Sequence, residues 1–151
     1  MRRLLLTGCI LVFFLTCTDE YKNPIPSYRV YIEVDLTFRD KELLPFLSYK
    51  IFTPKNITQG KEFTGYAGVL VVHTLLGEYK AFDVACPHET RTDITIAIDE
   101  ENNAICKSCG SKYEVLLNFG TGGRIDGPSK YPLRPYSILF KDNNTLIVRN
   151  N

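Results

Sequence analysis

Two short runs of metal-binding side chains constrain this sequence more than anything else in it. Cys86-Pro87-His88 is followed, after seventeen intervening residues, by Cys106-Lys107-Ser108-Cys109. For both runs to serve one centre, the chain must bring two separate loops together. A thiolate and an imidazole two positions apart can face the same side of an extended loop, and Cys-x-x-Cys gathers two thiolates in a tight turn. These soft donors suit an iron-sulfur cluster or zinc, and their spacing alone leaves both open.

The start of the chain sets the redox setting of those cysteines. Met1-Arg2-Arg3 precedes an apolar stretch from Leu4 to Leu15, then Thr16-Cys17 and a polar run from Thr18 to Asn23. A basic segment and a short apolar one read as a secretory signal, and the stretch is shorter than the roughly 20 residues a spanning helix needs. Cys17 at the junction resembles the acceptor of a bacterial lipoprotein signal peptide. Leu6-Thr7-Gly8-Cys9 fits that pattern more closely but leaves almost no apolar segment ahead of it.

Residues 1–16 are therefore expected to be a signal peptide and Cys17 to carry the lipid. Residues 17–27 read as a linker and 28–151 as one domain, held on the extracytoplasmic membrane face, periplasmic or cell-surface. Outside Cys9 and Cys17, three of the five cysteines remain, in a 24-residue window with one of only two histidines. An odd, clustered set is a poor disulfide framework, so a metal is the better reading. The formal charge of +1, with no basic run after the N-terminus, excludes the electrostatic footprint of a nucleic-acid binder.

The hydrophobic pattern has the period of strands. Between Tyr28 and Phe38, Val30, Ile32, Val34 and Leu36 alternate with polar residues. Further strands are expected from Gly68 to Leu75, Tyr79 to Val84, Asp93 to Ile98, Tyr136 to Phe140 and Thr145 to Arg149. The last two flank Asp142-Asn143-Asn144, a hairpin turn composition. Leu43 to Phe63, broken by Pro45, Pro54 and Gly60, gives no clear pattern. The fold class is all-β and antiparallel.

The flanking residues carry a family resemblance. Cys86-Pro87-His88, Cys106 with position 109, Gly110-Ser111-Lys112-Tyr113 and Gly127-Pro128 stand in the order and at the spacing of the Rieske iron-sulfur family. The resemblance covers roughly residues 65 to 149. It implies a Rieske-like antiparallel β-sandwich or barrel, with a cluster-binding subdomain made by two loops at about 84–91 and 104–113 and a proline loop at about 126–133.

It also implies a two-iron, two-sulfur (2Fe-2S) cluster, with Cys86 and Cys106 on the inner iron and His88 and Cys109 on the outer one. By the same resemblance, Ser111 and Tyr113 donate hydrogen bonds to the sulfurs, and Gly127-Pro128 shields them from water. The implied role is that of an electron carrier, not an enzyme in its own right, serving a redox partner protein. It is either free-standing or a small subunit of a larger oxidoreductase.

The sequence departs from the family at position 109, where Cys replaces His. Three thiolates and one imidazole leave an oxidised cluster at −1, where two of each leave it neutral, so adding an electron becomes harder. The substitution also keeps a second reading open: a structural or binding module holding zinc, or no metal, on the same scaffold. The loop-clamping cysteine pair of respiratory Rieske proteins is absent from Glu89 to Arg91 and from Lys107-Ser108. His73, inside an expected strand, reads as an ordinary structural or surface residue.

Overall fold

The computed structural model describes residues 22–150; the segment expected to be a signal peptide and Cys17, the expected lipid acceptor, lie outside the described residues. Among them the chain forms β1 (Val30–Asp35), a short 3-10 helix (Lys41–Leu43), β2 (Ser48–Phe52), β3 (Phe63–Thr64), β4 (Val69–His73) and β5 (Tyr79–Asp83). There follow β6 (Ile96–Ile98), β7 (Asn103–Cys106), β8 (Lys112–Glu114), β9 (Arg124–Asp126), β10 (Pro135–Phe140) and β11 (Thr145–Arg149). The protein is all-β and antiparallel, as the alternation predicts.

Seven strands make a curled half-barrel in the order β2-β4-β5-β10-β11-β1-β3, and β6-β7-β8-β9 form a second, smaller sheet. The expected hairpin is β10–β11, with Ile138 opposite Val148. Residues 43–63, which show no pattern in sequence, hold the edge strand β2 and the first residue of the other edge strand, β3. Of β2 only Phe52 is fully buried, so there was little apolar alternation to read.

The run Val69-Leu70-Val71-Val72 lacks alternation because both faces of β4 are covered. Val69 and Val71 enter one core with Ile32, Val34, Leu146 and Val148. Leu70 and Val72 enter a second core with Phe82, Val84, Ile96 and Tyr113, beneath the small sheet. Cys86 and Cys106 belong to that second core. His73 is buried, its Nδ1 3.0 Å from the carbonyls of Leu43 and Leu44 and its ring stacked on Tyr79, which is a structural role.

The link between the sheets starts at a buried carboxylate. Asp83 Oδ1 accepts from Ala85 N at 2.8 Å, while Oδ2 accepts from Tyr136 Oη at 2.7 Å and Tyr66 N at 3.1 Å. From there residues 84–86 cross to the small sheet, where Ile96 N donates to Val84 O and Cys86 N to Ile94 O. Gly65 has φ +72°, and a Cβ there would lie 2.6 Å from Tyr136 Oη, so the Tyr136–Asp83 contact is closed over by a residue that must be glycine. Replacing Tyr136 by Phe removes one donor from this buried carboxylate. Urea unfolding is expected to show a loss of about 1.5–3 kcal/mol.

Candidate metal centre

The two cysteine loops are built alike. In the first, Thr90 N donates to Cys86 O at 2.8 Å; in the second, Gly110 N donates to Cys106 O at 2.8 Å. Each is a single helical turn that ends on a left-handed residue, Thr90 at φ 53° and Gly110 at φ 76°. Glycine adopts that conformation freely and threonine does so at a cost, so the first loop carries backbone strain. A hydrogen bond of 3.4 Å from Ser108 Oγ to Glu89 Oε1 joins the tips of the two loops.

These turns bring three sulfurs together. The Sγ atoms of Cys86, Cys106 and Cys109 lie within 4.8 Å of one another, with Cys86 and Cys109 3.7 Å apart. Cys86 and Cys106 are wholly buried, and Cys109 is partly exposed. His88 shares the turn of Cys86 but is exposed, and its ring is not part of the sulfur group.

Ser111 and Tyr113 both reach the sulfurs. Tyr113 Oη is 3.7 Å from Cys86 Sγ, and Ser111 Oγ is 3.2 Å from Cys109 Sγ. Ser129 N already donates to Ser111 Oγ at 3.0 Å, which leaves the Ser111 hydroxyl hydrogen free to point at a Cys109 thiolate. Both side chains are fully buried.

Gly127, at φ +86°, places the proline loop directly on this group. A Cβ there would stand 2.4 Å from Ser111 Cα and 2.9 Å from Gly110 O. Pro128 is exposed, so the contact with the centre comes from its neighbours Gly127 and Ser129. Ser129 and Asp83 are the residues that sequence reasoning missed. Ser129 acts through its backbone N–H, which no side-chain pattern encodes, and Asp83 looks like any strand-end carboxylate.

The three thiols differ in acidity. Burial pushes Cys106 up to about 12. Burial also opposes ionisation of Cys109, but hydrogen bonds from the Ser111 side chain and backbone outweigh it and hold this thiol below its ordinary value. Burial is the main reason the Tyr113 phenol is raised, which keeps it a proton donor toward sulfur.

The donor set and its enclosure fit a thiophilic metal: three cysteines, two buried hydroxyls against them, and a glycine loop over the top. Two thiolates on one tetrahedral ion with metal–sulfur bonds of about 2.3 Å would stand about 3.8 Å apart, close to the Cys86–Cys109 separation. Compared with known proteins, the chain matches no family model and no curated protein.

Two outcomes follow from this geometry. Gly127→Ala forces the loop off Ser111, and the metal-free protein is expected to react several-fold faster with a thiol reagent, most of all at Cys109. Metal can enter only as protons leave, and Cys106 is protonated near neutrality. Zinc affinity of the metal-free chain is therefore expected to rise from about pH 6 to pH 8, with proton release measured by calorimetry in buffers of different ionisation enthalpy.

Proposed function

We propose that this protein is an extracytoplasmic electron carrier of Rieske type, in which Cys86, Cys106, Cys109 and His88 hold a 2Fe-2S cluster and Cys17 carries a lipid anchor. The observation that carries the reading is the convergence of three thiols from two similarly closed loops, with the hydroxyls of Ser111 and Tyr113 against them. When bound, the cluster would accept and release one electron for a redox partner protein.

The chain's own residues would hold and tune it. Cys86 and Cys106 anchor it from the core, and the partly exposed Cys109 and exposed His88 form its outer side. Ser111 and Tyr113 donate toward sulfur and favour the reduced, more negative state, while residues 127–129 exclude water. Three thiolates pull the potential to the low end of the Rieske range of about −150 to +300 mV or beneath it, and a remaining imidazole keeps it above the roughly −400 mV of all-cysteine ferredoxins. We place it at roughly −300 to 0 mV.

One observation favours a second reading. At 3.7 Å, Cys86 and Cys109 are spaced as on a single tetrahedral ion, whereas the cluster assignment puts them on different irons. That spacing suits a structural zinc site completed by His88 or water.

Metal analysis separates the two. The full chain, purified anaerobically, is expected to hold two irons and two sulfides and to give a rhombic electron paramagnetic resonance signal after dithionite reduction. Ser111→Ala is expected to shift its potential downward while leaving the iron count unchanged. One zinc, no sulfide and no signal would replace the electron carrier by the structural module.

A further inference from the structure

Among the described residues, Thr90 is the one β-branched side chain held in the left-handed region, at φ 53°. Its counterpart in the second cysteine loop, Gly110, adopts that region freely, and a Cβ there would meet nothing within 4 Å. Position 110 is therefore glycine for its backbone alone, and Thr90 stands where the same backbone is costly. A residue kept in such a conformation needs something outside it to hold it there.

The group that does so is Tyr66. Its Oη donates to Thr90 O at 2.9 Å, while Thr90 N closes the turn on Cys86 O at 2.8 Å. Tyr66 is itself fixed. Its N donates to Asp83 Oδ2 at 3.1 Å, and its ring lies against Tyr28 with centroids 5.5 Å apart. On either side of it, Gly65 N donates to Arg29 O and Gly68 O accepts from Val84 N, which ties the segment to the large sheet. The turn that carries Cys86 and His88 thus hangs between the small sheet, where Cys86 N meets Ile94 O, and a phenol that stands on the large one.

We infer that Tyr66 is a positioning residue of the metal centre, whose hydroxyl holds Thr90 left-handed and so keeps Cys86 and His88 in place. The inference rests on the reading of the three-thiol group as a metal centre and holds for a cluster or for zinc. The two loops are then unequal. The second is locked by Ser111, Ser129 and Gly127. The tip of the first is held by Tyr66 and by the long contact of Ser108 with Glu89. The cost of the strained backbone and the net worth of one hydrogen bond are of similar size, so losing the bond lets the turn open. The first loop is the one that yields when metal enters or leaves.

Cleavage by trypsin after Lys80, Arg91, Lys107 and Lys112 puts the three cysteines on separate peptides, 81–91, 92–107 and 108–112, so each thiol is read by itself. The full-length protein, Tyr66→Phe, Thr90→Gly and the double variant are stripped of metal, kept reduced and pulse-alkylated without denaturant. The peptides are then quantified by mass spectrometry. Tyr66→Phe is expected to speed alkylation of Cys86 about 3- to 10-fold, and by more than that of Cys106 or Cys109. Thr90→Gly relieves the strain, so alone it is expected to be no faster than wild type, and the double variant to return close to the wild-type rate. In a second measurement the same proteins are loaded with Co(II) alone, and loss of the thiolate-to-cobalt absorption is followed after EDTA is added. Release is expected to be fastest in Tyr66→Phe and restored in the double variant.

An unchanged Cys86 in Tyr66→Phe, an equal gain at all three cysteines, a double variant as fast as Tyr66→Phe, or cobalt release equal in wild type and Tyr66→Phe overturns the inference. A wild-type protein that takes up no cobalt overturns the metal reading instead, and the alkylation pattern then decides by itself whether Tyr66 holds the loop.

Discussion

The hydroxyl and backbone of Ser111 hold three segments in register, and the rest of the centre depends on them. Its carbonyl accepts from Cys106 N, its Oγ meets Cys109 Sγ and accepts from Ser129 N, and its Cα is the surface on which Gly127 sits. One fully buried residue thus ties the second cysteine loop to itself and to the proline loop. The first loop joins through Tyr113, two residues on, whose phenol reaches Cys86. A change at Ser111 therefore disturbs electrostatics and geometry together, whereas a change at Cys109 removes a donor and leaves the scaffold.

That scaffold is one sheet with both faces used. Because β4 and β5 are covered on either side, the second core, with Cys86 and Cys106 inside it, is continuous with the main sheet. Two buried thiols replace what would otherwise be small apolar residues in that core. A metal bound to them stabilises the folded chain by mass action, since the unfolded chain has no site of this shape. Folding and metal loading would in this way be linked.

Much of this was legible in the sequence, and the exceptions have physical reasons. β1, β4, β5, β10 and β11 were visible as alternation or as an apolar run, because burial on one or both faces leaves that mark. The segment from Leu43 to Phe63 was not, because buried charge fixes it. Asp40 and Glu62 accept backbone N–H groups from Asp35 and Glu33 and pair with Lys50 and Arg39. Ion pairs between distant residues have no period. The convergence of Cys86, Cys106 and Cys109 followed from their spacing, whereas the docking of Ile25 gave no warning, lying in a segment that Pro24 and Pro26 mark as a linker.

Cys109 decides between the chemistries the centre can support. As an outer ligand beside His88 it makes an anionic cluster of lowered potential; drawn toward Cys86, it closes a tetrahedron on one ion. X-ray absorption of the protein as isolated tests this most directly, because it reports which metal is present, which atoms bind it and whether a second metal lies beyond. The electron-carrier account expects an iron edge, a sulfur-dominated first shell with one nitrogen for every two irons, and a distinct iron–iron scattering shell. A zinc edge with three sulfurs, one nitrogen or oxygen and no metal beyond would contradict it.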